Sequence, residues 1–215
     1  SMGVPDSGEA WYLLDKRFQM QPVLIESKEI TSKKLQQYNT IILANGIPDI
    51  GKTGNAALKE WIENGGTLIA TGKAYEWVAD MGIMQLKKKS TAIKADSTKY
   101  LVYADKKEAS AGNTIAGVIL NCTLDKTHPL GWGLNQDEIA VLKKGNIILN
   151  KDKDPYVSPL HYSSKPVLSG FLSVKNEMLL KDTPAVFAKP YKSGKVIVFV
   201  DNMNFRSYWF GTSKI

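Results

Sequence analysis

The sequence predicts an α/β protein built on a parallel, doubly wound sheet, and three observations carry that prediction. Short apolar runs of strand length alternate with segments of helical period through residues 6–80. Two of the runs, "NTIILANG" (Asn39 to Gly46) and Thr67 to Thr71 within "GGTLIATG", are continuously apolar, as strands buried on both faces are. Each run ends in a turn that leads into the next helical segment.

The first element is a helix that Asp6 can cap, with Glu9 three residues on, and Trp11, Leu14 and Phe18 mark its apolar face. "PVLIES" (Pro22 to Ser27) reads as a short strand and Thr31 to Tyr38 as a capped short helix. After the strand at Asn39 to Gly46, Gly54 to Asn64 places Leu58, Trp61 and Ile62 on one helical face, and Gly65-Gly66 stops that helix. The strand Thr67 to Thr71 and a helix over Ala74 to Asp80 follow. From Met84 the texture becomes β-rich, with strands expected at Lys99 to Ala104, Ala116 to Cys122, Glu138 to Leu142 and Asn146 to Leu149; Lys143-Lys144-Gly145 reads as a hairpin loop. The closing strands are Pro166 to Leu172, Pro184 to Tyr191 and Lys195 to Val200. These elements make one domain over residues 3–215: an α/β core at about 3–82, a β-rich elaboration at about 83–165, and final strands at about 166–215 that return to the core.

With 43% hydrophobic and 23% charged residues, the composition is that of a globular chain, neither disordered nor fibrous. Lys and Arg exceed Asp and Glu by 28 to 21, giving a net charge of +7. The only tight basic run is Lys87-Lys88-Lys89, and no Arg-aromatic interleaving accompanies it, so the charge reads as a solvated surface and nucleic acid is not expected as a partner. No apolar stretch approaches the roughly 20 residues that span a bilayer, so no membrane association is expected. The single cysteine, Cys122, excludes an intrachain disulfide, and Ser1-Met2-Gly3 has the look of a cloning scar rather than an export signal.

The turn Thr71-Gly72-Lys73 is the first place where chemistry is expected, because many α/β enzymes hold a nucleophile on such a strand-to-helix bend. Gly72 and Lys73 occupy it, with no Ser or Cys, and Lys73 would need desolvation to act. Cys122 and His128 are the candidate catalytic pair, a thiol and an imidazole; against that, a lone Cys ending an apolar strand reads as a small buried hydrophobe. His128, ahead of Pro129, caps backbone groups or meets a ligand in an ordered loop. The two histidines, His128 and His161, belong to no metal-ligand pattern, so neither a metal nor a cofactor is expected. Gly46, Gly51, Lys52 and Thr53 meet the phosphate-loop spacing literally, yet Pro48 lacks an N–H and Asp49 would face a phosphate, so the match reads as chance. Trp132, Tyr156, Tyr162, Tyr208 and Trp209 fall in expected loops, where aromatic faces could stack a sugar or peptide.

Taken together, "SGEAWYLLD" (Ser7 to Asp15), "WIENGGTLIATG" (Trp61 to Gly72), "DKTHPLGWG" (Asp125 to Gly133) and "SGKVIVFVDNMNFRSYWFGT" (Ser193 to Thr212) resemble the class I glutamine amidotransferase-like (flavodoxin-like) domain found at the C-terminus of secreted bacterial zinc carboxypeptidases of the carboxypeptidase A type. The resemblance covers nearly the whole chain. It implies a mostly parallel sheet with an antiparallel β elaboration in the middle of the chain. It also implies a central strand before Gly3, an apolar helix after Ile215, secretion or a periplasmic location, and the catalytic peptidase domain of the same polypeptide as partner, with zinc and catalytic residues in that domain. Homo-oligomerisation stays open.

Active members of that superfamily carry Cys on the elbow and His-x-Glu after a late strand. Here Gly72-Lys73-Ala74 and Asp201-Asn202-Met203 stand at those places, which implies an accessory, non-catalytic domain. The segment from Asp201 to Thr212 is then expected to plug the vestigial site. Arg206 would lie among Phe205, Tyr208, Trp209 and Phe210 and pair with Asp201, Asp15 or Glu9.

Overall fold

The computed structural model describes residues 5–90, 100, 102–106 and 112–204. A helix, α1 (Pro5–Tyr12), runs into a wider π-type turn at Leu13–Arg17, and a one-turn helix, α2 (Ser32–Leu35), follows. Strand β1 (Thr40–Leu43), helix α3 (Gly51–Glu63), strand β2 (Thr67–Thr71) and helix α4 (Tyr75–Asp80) complete the first half. The second half supplies β3 (Val118–Leu124), β4 (Glu138–Lys143), β5 (Leu160–Gly170), α5 (Val174–Leu180), β6 (Pro184–Tyr191) and β7 (Gly194–Phe199).

The strands form one seven-stranded sheet in the order β1-β2-β7-β6-β5-β3-β4. Ile41 pairs with Leu68 and Leu68 with Val196, both in parallel, so the two apolar runs of the first half lie side by side as expected. The pairings β7 to β6, β6 to β5, β5 to β3 and β3 to β4 are antiparallel. The chain therefore has the α/β, flavodoxin-like arrangement expected of it, with parallel pairing gathered at β1, β2 and β7 and the antiparallel elaboration extending the same sheet.

Successive residues of β7 go to opposite faces. Val196 and Val198 join the core of Leu58, Trp61, Ile62 and Leu68, while Ile197 and Phe199 join that of Leu120, Cys122, Leu160 and Val186. Helix α3 covers the first face with Leu58, Trp61 and Ile62, the face read from its spacing. Trp61 also donates its ring N–H to the Tyr38 carbonyl at 2.9 Å.

Several local expectations are corrected. Asp6 lies inside the first turn of α1 instead of capping it. Leu13 is the buried residue of this region while Trp11 and Phe18 are exposed, because the π-type turn shifts the face that 3.6-residue spacing selects. Pro22 to Ser27 is not a strand: β1 is the terminal strand of the order, no backbone among the described residues pairs with the segment, and Val23 and Leu24 are 60% and 77% exposed. The described part of the Lys99 to Ala104 run holds a 3₁₀ turn, Tyr103–Asp105, in place of a strand, with Tyr100 and Tyr103 exposed. Asn146 to Leu149 contributes only an isolated bridge from Leu149 to Lys88. Lys143, expected in a hairpin loop, ends β4 as a fully buried residue. Helix α5 is an addition to the expected elements; Ser173 caps it by accepting from the Asn176 N–H at 3.3 Å.

The turn into β7 is sterically fixed. A Cβ at Gly194 would stand 2.0 Å from the Ile62 carbonyl oxygen and 2.4 Å from that of Gly66, both backbone atoms. Gly194→Ala is therefore expected to cost about 1–3 kcal/mol through forced backbone displacement, read as a lower urea midpoint at an unchanged slope.

Candidate functional site

The parallel strands β1, β2 and β7 bring their carboxyl ends to one edge, where ligand sites of open α/β sheets lie. The residues just past those ends are Asn45, Gly72 with Lys73, and Asp201 with Asn202. Asn45 sits in the left-handed region at φ 37°, which Asn tolerates better than most residues. Its backbone N–H donates to Thr71 Oγ1 at 3.0 Å, and its side-chain oxygen accepts the Lys73 N–H at 3.0 Å. The Asn45 amide donates to Asp6 Oδ2, and Asn202 donates to Asp6 Oδ1 at 2.7 Å and to Glu9 Oε2. Two amides and two carboxylates thus tie α1 to the ends of β1 and β7.

This network closes the elbow. Gly72 has φ 52°, and a Cβ there would lie 2.3 Å from Asn45 Oδ1. No side chain can stand at that position while Asn45 holds its place. The N–H of the residue after an elbow nucleophile ordinarily serves the oxyanion hole; here that group, the Lys73 N–H, is taken by Asn45. The Lys73 side chain is exposed.

Asp201 turns the other way, into the interior. Lys143 Nζ lies 3.0 Å from Asp201 Oδ1 and 3.2 Å from Oδ2, and donates to the Ile147 carbonyl at 2.8 Å. Tyr162 donates its hydroxyl to Asp201 Oδ2 and stands 3.4 Å from Lys143 Nζ. The side chains of Lys143 and Asp201 are 0% and 3% exposed. Burial and the Asp201 carboxylate push the Tyr162 phenol well above its ordinary range, so it remains a donor.

The expected partners of Arg206 are therefore engaged elsewhere: Asp201 with Lys143, Asp15 with Lys16 at 3.0 Å, and Glu9 with Asn202. Phe205, Arg206, Tyr208, Trp209 and Phe210 lie outside the described residues.

The two members of the candidate pair sit in different settings. Cys122 is fully buried within β3, and desolvation, with the Asp201 charge adding to it, raises its thiol well above the ordinary range. His128 Nδ1 accepts the Leu130 N–H at 3.1 Å, capping the short turn Pro129–Gly131. Among the aromatics, Tyr162 is buried, in contrast to its expected loop placement, while Trp132 and Tyr156 are 70% and 85% exposed. Gly46 to Thr53 does connect a strand to a helix, with Gly51, Lys52 and Thr53 opening α3. Pro48 and Asp49 occupy the intervening span, so the donor set of an anion nest is incomplete. Among the described residues, no cluster of three or more His, Cys, Asp and Glu could hold a metal ion, and no helix is long and apolar enough to cross a membrane.

The chain has a mixed α/β fold of the flavodoxin-like (class I glutamine amidotransferase-like) kind, and the turn after β2 is occupied by its own side chains. Solved structures carry the fold assignment. A ThuA-like protein from Bacteroides uniformis aligns with 100% of this chain and 83% of its own at 14% identity and a TM-score of 0.57. A protein named for GMP synthase, from Thermoplasma acidophilum, aligns over 93% and 79% at 10% identity and 0.53. A β-galactosidase from Bacillus circulans sp. alkalophilus aligns over 96% of this chain and 26% of its own, at 11% identity and 0.52. No family model and no curated protein sequence matches the chain.

The raised Cys122 and Tyr162 groups set an alkaline limit. In the unfolded chain the thiol ionises above about pH 8.5 and the phenol above about 10, while the folded groups keep their protons. The unfolded state then binds fewer protons, so stability is full below that range and falls as pH rises through it. Urea midpoints are expected to be flat below about pH 8 and to decline above about 8.5, with a shallower first decline in Cys122→Ala.

Proposed function

We propose that the chain is a non-catalytic accessory domain of an exported zinc carboxypeptidase-like protein, and that it supports or positions the catalytic peptidase domain of the same polypeptide. The observation that carries the non-catalytic part is the closed elbow. The position of a nucleophile is a glycine whose Cβ would collide with Asn45, and the adjacent N–H is already bonded. The peptidase partner and export come from the resemblance of the four sequence stretches; the alignment to about a quarter of a β-galactosidase chain fits a domain of this fold within a longer enzyme. No cofactor is assigned to the domain.

Glutaminase and esterase assays on the wild-type chain and on Cys122→Ala test this reading. No turnover above the uncatalysed rate is expected from either. Turnover in the wild type that the substitution abolishes would overturn it in favour of a Cys122-dependent hydrolase or amidotransferase.

A second reading is a sugar- or peptide-binding module, favoured by exposed Trp132 and Tyr156. Their loops meet the same end of the β3 to β5 pair, where the Asp125 N–H donates to the Pro159 carbonyl at 2.8 Å. Titration with glycans and peptides, followed by tryptophan fluorescence, is expected to give no saturable change. A saturable change lost in Trp132→Ala would establish the module instead.

A further inference from the structure

The buried Lys143, Asp201 and Tyr162 cluster faces the interior behind that edge, and neither function reading uses it. We propose that Lys143 and Asp201 condense to an intramolecular isopeptide bond, which links the end of β4 to the segment following β7.

Three features of the site favour this. Lys143 Nζ approaches both Asp201 oxygens almost equally, at 3.0 and 3.2 Å, so the amine faces the carboxyl group as a whole and its carbon is the next atom in reach. The side chains are held without water access, and in such an interior an ion pair carries a desolvation cost that a neutral amide does not. Finally, the polar groups of the product already have partners. The amide N–H would keep the Ile147 carbonyl, now 2.8 Å from Nζ, and the amide oxygen would keep the Tyr162 hydroxyl.

The step balances with no added reagent. The Lys143 ammonium passes a proton to the Asp201 carboxylate, giving a neutral amine and a neutral acid. The amine lone pair forms the Nζ–Cγ bond, and the charge that develops on Oδ2 is held by the Tyr162 hydroxyl. Oδ1 takes a second proton from Nζ, the Cγ–Oδ1 bond breaks, and Oδ1 leaves as water. Tyr162 keeps its own proton throughout, consistent with its raised phenol.

Intact-mass spectrometry of the purified wild-type chain, with tandem sequencing of its proteolytic peptides, tests the proposal. The expected result is a mass lower by one water and a branched peptide joining residues 143 and 201. Lys143→Arg and Asp201→Ala should carry their full sequence masses, and freshly made Tyr162→Phe should hold a smaller linked fraction than the wild type. A wild-type chain at its full sequence mass, or a water loss that maps to any other residue pair, overturns the bond. Because the wild-type measurement alone decides, a variant that fails to fold does not blunt the test.

Discussion

Strand β7 is the constraint on which the rest of the structure depends. It is the last of the seven strands in chain order, yet it lies inside the sheet, parallel to β2 on one side and antiparallel to β6 on the other. Both hydrophobic clusters draw on it, through Val196 and Val198 on one face and Ile197 and Phe199 on the other. The two halves of the chain therefore share a single sheet only once residues 194–199 are in place. The entry to β7 allows no side chain, because Gly194 passes against the carbonyls of Ile62 and Gly66, where α3 gives way to β2. Long-range pairing of this kind pays its loop-closure entropy before contacts reward it.

The same topology explains why the edge is filled. Parallel strands converge their carboxyl ends, and the backbone groups there need partners whether or not a ligand brings them. Asn45 satisfies three needs at once: its N–H meets Thr71, its oxygen meets the Lys73 N–H, and its amide meets Asp6. Asn202 mirrors it from the end of β7 and reaches Asp6 and Glu9. Amides suit this work because each offers a donor and an acceptor without a charge to desolvate. The negative charge of Asp6 sits in the first turn of α1, where the helix dipole favours it.

What could be read in the sequence follows from how local its cause was. The strands Thr67–Thr71 and Pro184–Tyr191, and the buried face of α3, were legible because uninterrupted apolar runs and 3.6-residue spacing are properties of short windows. The empty elbow was legible for the same reason, since Gly72 and Lys73 are read directly. Asn45 was not, because its role depends on β1 and β2 being neighbours, a fact of the sheet order rather than of its own surroundings. Lys143 misled for a related reason. In a Lys-Lys-Gly string it has the chemistry of a solvent-facing turn, and only Asp201, 58 positions away, makes its burial tolerable. Pro22 to Ser27 failed in the opposite sense, its composition being that of a strand while no pairing partner among the described residues stands beside it.

Asp201 and Asn202 show how one turn can serve two ends. They are consecutive, shortly after the last strand, and their side chains leave in opposite directions: Asp201 inward to Lys143 and Tyr162, Asn202 outward to Asp6 and Glu9. The two positions anchor β4 and β5 on one side and α1 on the other. The energetic weight of the two is unequal. Asn202 works at a partly buried edge, where water can replace a lost donor. Asp201 works in the interior, where its loss would leave an ammonium with no counter-charge. The turn after β7 is thus held mainly from within, and the edge network is set in register by a strand end whose position the buried cluster fixes.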